Sequence, residues 1–168
     1  KIEINARQLG ANLISVSSHK VCGPKGTGAL FVRSGTKIKP YLLGGGQEGT
    51  MRSGTENMPG IAGFAAAVSD FPSLSSEYER ISEINSYLRK TLGDSGAHIN
   101  SPENAVPYVL NVSFPGIPSQ VMINYLSEKG IYVSGGSACA KGHRSYVLTD
   151  MQLAPSLIDS AVRISMGR

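Results

Sequence analysis

Apolar residues recur along the chain with two different periods, and the change from one to the other marks out its elements. Leu13, Ile14 and Val16 form a run with β-branched members, which predicts a buried strand over 12–17. Residues 2–9 before it read as a short amphipathic turn or helix. After a glycine-rich turn, Gly28-Ala-Leu-Phe-Val-Arg33 predicts a second strand, ended by Ser34-Gly35. From Asn57 or Met58-Pro59 the spacing becomes helical. Ile61, Phe64, Ala65 and Val68 form the apolar face, and Pro59 suits the first turn. A second helix, capped by Ser75 or Ser76, sets Ile81, Ile84, Leu88 and Leu92 against Glu79, Arg80, Glu83 and Lys90. Gly93 and Gly96 close it.

The last part alternates cleanly. Tyr108, Leu110, Val112 and Phe114 share one face of a strand that turns at Pro115-Gly116. A helix over 119–129 carries Val121, Met122, Tyr125 and Leu126 inward and stops at Gly130. Residues 131–134 predict a strand opening into a Gly-Gly loop. Helices over 145–151 and 155–160 and a final strand over 162–166 complete a small α+β sandwich. The pattern predicts two units, 1–68 and 97–168, joined by a connecting helix over 69–96.

Composition narrows the class without naming a function. The 168 residues are 40% hydrophobic and 17% charged, ordinary values for a globular protein able to bury a core. A net charge of +4, with its basic residues scattered, argues against a nucleic-acid partner. No apolar run reaches membrane-spanning length and no signal peptide opens the chain, so the expected location is cytoplasmic. The turn and loop contexts of Cys22 and Cys139 suit two thiols in a reducing compartment better than a disulfide.

The candidate chemistry gathers at four places. Lys20 follows the first predicted strand in Ser17-Ser-His19-Lys20. A lysine amine there can form a Schiff base with a carbonyl compound, or it can simply snorkel beside a turn. Ser17 and His19 alternate along an extended chain and would point the same way, which suits a phosphate. Arg52 and Thr55 lie in a glycine-rich segment that also reads as a solvated loop. Cys139 sits between glycines, with Lys141, His143 and Arg144 supplying positive charge that favours a thiolate. Arg163 stands on the last strand.

Three stretches together resemble the cysteine desulfurases. They are Ser17-Ser-His-Lys20 with Gly23-Pro-Lys-Gly26 and Gly28, then Arg52-Ser-Gly-Thr-Glu-Asn57, then Ser134-Gly-Gly-Ser-Ala-Cys139. Those enzymes use pyridoxal 5'-phosphate, have fold type I and belong to the class V aminotransferase group. The similarity runs over essentially the whole chain, in the family's order and spacing. It implies an α/β chain in which 1–68 is the C-terminal part of the large cofactor-binding domain and 97–168 is the small C-terminal domain. The family's ring-stacking His, ring Asp, phosphate-binding Thr loop and short last helix are expected outside this piece, so the chain reads as a fragment.

The resemblance also implies a role for each candidate. Lys20 would carry the cofactor, with Ser17 and His19 on its phosphate. Thr55 would reach the phosphate of the neighbouring subunit in a homodimer. Arg163 would grip the carboxylate of L-cysteine. Cys139 would take the sulfur as a persulfide and pass it to an acceptor protein for iron–sulfur cluster or thio-cofactor synthesis. The loop continues Ala140-Lys-Gly-His-Arg144, where many members have Thr-Ser and a longer insertion, so subgroup and acceptor stay open. Two other readings stay open as well: another class V enzyme (an aminotransferase or selenocysteine lyase), and a non-catalytic dimerising or partner-binding piece.

Overall fold

A computed structural model describes residues 2–135 and 144–167. The chain divides into two compact units, Ile2–Leu74 and the part from Ser75 onward.

In the first unit, β1 (Leu13–Ser17) and β2 (Gly28–Val32) form an antiparallel pair, in register from Leu13 opposite Val32 to Ser17 opposite Gly28. Backbone bonds extend the ladder at both ends, Arg33 N–H to Asn12 O at 2.9 Å and Ser18 N–H to Thr27 O at 3.0 Å. The Arg33 side chain adds bonds from Nε to Ala11 O and from a terminal nitrogen to Ala6 O, which hold the 6–10 turn against the hairpin. The expected buried strand is not buried here. Leu13 and Val16 of β1 are exposed, as are Leu30, Phe31 and Val32 of β2. Leu13 and Val16 point to opposite faces of β1, so the apolar run does not mark one buried face.

Helix α1 (Met58–Ser69) begins as expected, with Asn57 Oδ1 accepting the Gly60 N–H and Pro59 in the first turn. Its inward stripe differs from the expected one. Gly60 is buried and Gly63, Phe64 and Ala67 are partly so, whereas Ile61, Ala65 and Val68 are exposed. The stripe still repeats every three to four residues but starts one position earlier, on a glycine.

The second unit holds a buried core. Strands β3 (His98–Ile99), β4 (Val109–Ser113) and β5 (Ala161–Ser165) form an antiparallel sheet in that order. Leu110 and Val112 of β4 and Ala161 and Val162 of β5 are almost wholly shielded. Burying a side chain the size of leucine or valine contributes about 1.5–3 kcal/mol. Helix α2 (Leu74–Asp94) adds Ile81 to this interior, and α3 (Ser119–Glu128) packs beside β5. Helices α4 (Tyr146–Asp150) and α5 (Pro155–Asp159) contribute Leu148 and Ile158, which cluster with Ala161 and Leu153.

Three local expectations need correction. Because α2 starts at Leu74, Ser75 and Ser76 lie inside its first turn rather than capping it. On α3, Val121 and Tyr125 face outward, while Met122, Ile123 and Leu126 form the half-buried stripe. Tyr125 instead lies under the Lys129 ammonium, 5.6 Å from ring centre to Nζ. The strand expected over 131–134 shrinks to one bridge, Ser134 with Arg163. Among the described residues of this segment, only Ser134 exchanges both backbone bonds with β5.

Candidate functional site

The turn bearing Lys20 is built by the end of β1. Ser17 keeps extended dihedrals (φ −112°, ψ 127°), and Ser18–Val21 then tighten into a 3-10 turn. Cys22 ends it in the left-handed region (φ 68°), with the Gly23 N–H on Ser18 O at 3.0 Å. Extended alternation therefore stops at Ser17, and His19 belongs to the turn rather than to the strand. Ser18 is fully buried, while Ser17, His19 and Lys20 are all exposed. A hydroxyl, an imidazole and a primary amine thus stand accessible within four consecutive residues. No carboxylate occurs between Ser17 and Gly28, and Lys25 adds a further positive charge. This donor set fits an anionic, phosphate-bearing carbonyl compound such as pyridoxal 5'-phosphate.

The glycine-rich segment is a folded loop rather than a linker. Ser53 donates from both its N–H and its Oγ to Leu42 O, and the Gly54 N–H reaches Gln47 Oε1. Glu48, Gly49 and Thr50 are consecutive residues at positive φ (49°, 60° and 69°). For a β-branched threonine that conformation is a strained exception. Arg52 donates to Ser53 O at 2.6 Å, and Thr55 is exposed. Both line an open groove of about 990 Å³ together with Thr27, Leu30, Met51 and Phe64. Ser17, His19 and Lys20 are not among the residues that line it.

Arg163 lies on β5, opposite Asn111 of β4 and bridged on its other side to Ser134. The Arg163 N–H to Ser134 O bond is 2.6 Å, and the return bond from Ser134 N–H is 3.1 Å. The residue is half-buried, and its Nε is shielded with no hydrogen-bond partner among the described residues. A sheltered guanidinium N–H without an acceptor is costly unless an anion supplies one.

Cys139 lies outside the described residues, as do Lys141 and His143. Arg144 is described, and it pairs with a carboxylate. Its guanidinium forks onto Asp159, Nε to Oδ1 at 2.7 Å and a terminal nitrogen to Oδ2 at 2.6 Å. The Arg144 hydrogen bond holds the Asp159 carboxyl below the usual carboxylate range. Both side chains of the pair remain at least half exposed.

Reasoning from spacing missed a buried polar network in the second unit. Asn85 of α2 donates to Pro107 O at 2.8 Å and accepts from Arg89 Nε at 2.7 Å. Arg89 continues to Ser101 O and Pro102 O. Asn100 donates to Asn111 Oδ1 and Ser113 Oγ, and Ser113 passes its own proton to Leu157 O, each at 2.7 Å. The only advance signal was an asparagine on the Ile81–Leu88 stripe.

Comparison with known proteins places these features in a family. The model described as aminotransferase class-V matches residues 1–168. The chain is 36% identical over 172 residues to the cysteine desulfurase IscS of Dictyoglomus turgidum, covering 99% of this chain and 44% of that protein. It is 37% identical over 175 residues to the cysteine desulfurase IscS of Methanosarcina thermophila, covering 99% and 43%. Among solved structures it resembles a NifS-like protein from Rickettsia africae, with TM-score 0.82 and 32% identity, covering 99% of this chain and 45% of that one. The chain thus spans less than half the length of the curated relatives it matches. With a mixed α/β fold that superimposes on part of these structures and a family match over its full length, this chain belongs to the class-V aminotransferase family.

Proposed function

We propose that the whole protein is a cytoplasmic, homodimeric cysteine desulfurase. It would take sulfur from L-cysteine, release L-alanine, and pass the sulfur on to an acceptor protein for iron–sulfur cluster or thio-cofactor synthesis. In this reading 1–68 belongs to a large cofactor-binding domain, 69–96 connects, and 97–168 is the small domain. The observation that carries the proposal is the exposed Ser17, His19 and Lys20 set on one ordered turn at the end of β1. Desulfurase relatives and a similar solved structure titled as SspA in complex with cysteine support it from outside the chain.

Pyridoxal 5'-phosphate, when bound, supplies the electron sink for chemistry at the amino acid's Cα. Lys20 holds it covalently and then moves protons at Cα. Ser17 and His19 donate to its phosphate, and Thr55 does so across the dimer. Arg163 forks onto the substrate carboxylate, which orients Cα. Cys139, as thiolate, attacks the Sγ of the substrate. A sulfur–sulfur bond forms, the substrate's carbon–sulfur bond breaks, and a proton at the vacated carbon completes alanine. Cysteine plus enzyme thiol gives alanine plus enzyme persulfide, with no external oxidant.

Cys139→Ser in the full-length protein tests this. The variant should bind cofactor normally yet make neither alanine nor sulfide from cysteine. Alanine at the wild-type rate would make Cys139 a bystander and favour amino-group transfer instead.

A further inference from the structure

Among the glycines of the first unit that have no room for a side chain, three bear on the turn that carries Lys20. A Cβ at Gly23 would overlap Ser18 Oγ, and one at Gly60 would overlap Thr27 Oγ1. A Cβ at Gly63 would stand 2.7 Å from Pro24 Cγ and 3.2 Å from Pro24 Cδ. Carbon atoms in contact sit about 3.5–4.0 Å apart, so a methyl group at Gly63 requires Pro24 to retreat by roughly 1 Å.

Gly60 and Gly63 are three residues apart on α1 and so share one face, forming a notch. Into it fit Pro24 and Thr27, the two ends of a short turn. The same segment is closed at its base by Ser18 N–H to Thr27 O and Gly23 N–H to Ser18 O, both 3.0 Å. Residues 18–27 are therefore held between the end of the hairpin and the notch, and Lys20 rides on them. Alanine is the better helix former, so two glycines here weaken α1, and the close approach explains them.

We infer that Gly60 and Gly63, with Pro24, are positioning residues for Lys20: the notch sets where the Lys20 amine stands relative to the end of β1. Its consequence for cofactor rests on the function proposed above. The seat itself does not.

The test uses full-length holoprotein with Gly63→Ala, Pro24→Ala, the double variant and Lys20→Ala. Two quantities are read, amide exchange at Ser18 and Gly23 and the dissociation constant for pyridoxal 5'-phosphate. Gly63→Ala should lower protection of both amides and weaken cofactor binding, each by about tenfold or more. Pro24→Ala removes both ring atoms that crowd the new methyl, so the double variant should return to the values of Pro24→Ala alone. A helix effect unrelated to the notch would show no such rescue. If Gly63→Ala does not fold, the double variant against Pro24→Ala decides, and its failure to fold overturns the inference. Unchanged exchange in Gly63→Ala, or a loss that Pro24→Ala does not rescue, also overturns it. Equal cofactor binding by wild type and Lys20→Ala would sink the functional reading instead, while the exchange data still judge the seat.

Discussion

Replacing Asn85 tests whether the second unit is held by its polar clip or merely by its apolar core. Asn85 is 5% exposed and joins α2 to the segment before β4. Asn85→Ala strands the buried Pro107 carbonyl, and an unsatisfied buried group costs about 1–3 kcal/mol. It also removes the acceptor of Arg89 Nε. Arg89 keeps two carbonyl partners and is half-exposed, so this second loss sits near or below the low end of the about 1.5–3 kcal/mol for a charged hydrogen bond. The sum is about 2–4 kcal/mol, a large share of the roughly 5–15 kcal/mol that domains possess. Urea unfolding followed by circular dichroism should show the midpoint falling by about 1–3 M at an m-value of about 1–3 kcal/mol/M. Asn85→Leu separates the causes, because it restores volume but still leaves Pro107 unpaired. It should lose nearly as much as alanine. A leucine variant as stable as wild type would mean that filled space matters and the hydrogen bonds do not, and the reasoning would be refuted.

Arg163→Ala in the full-length enzyme should raise KM for cysteine far more than Arg163→Lys, since only a guanidinium forks onto a carboxylate; equal effects of the two would argue against a carboxylate contact. Ser18→Ala should leave stability unchanged or raised, because its buried Oγ has no partner among the described residues, and a clear drop in thermal midpoint would show that the hydroxyl is satisfied. The Arg144–Asp159 pair predicts a pH effect. The folded carboxyl titrates below its unfolded value, so its contribution is present above the ordinary carboxylate range and is lost as pH falls through the lower folded value. Acid titration of Asp159→Asn should therefore show a smaller stability loss over that window than wild type, and identical acid profiles would show that the pair contributes nothing. High salt should shrink the difference.

Much of the architecture was legible because it is local. The hairpin around Lys20, the starts of α1, α3 and α5, and the core strands β4 and β5 follow from apolar period, proline placement and glycine stops, which act within a few residues. The Lys20 motif was legible as a motif, although His19 belongs to a 3-10 turn and not to the strand. A periodic pattern says that a face is apolar without saying that anything covers it. Leu13 and Val16, on opposite faces of β1, are both exposed.

What only the tertiary structure decided is what depends on distant partners. The inward stripe of α1 begins at Gly60, invisible to any hydrophobic pattern, because the helix is chosen for how closely Thr27 and Pro24 can approach it. Asn85 sits among leucines and isoleucines because Pro107 offers it a carbonyl. The two-residue β3 and the single bridge at Ser134 are too short to leave a period. Arg144 pairs with Asp159, fifteen residues away, a partner that no local pattern announces. Sequence reports each residue's chemistry and local geometry; whether a donor, a charge or a methyl-sized space is already taken is settled by whichever segment folds against it.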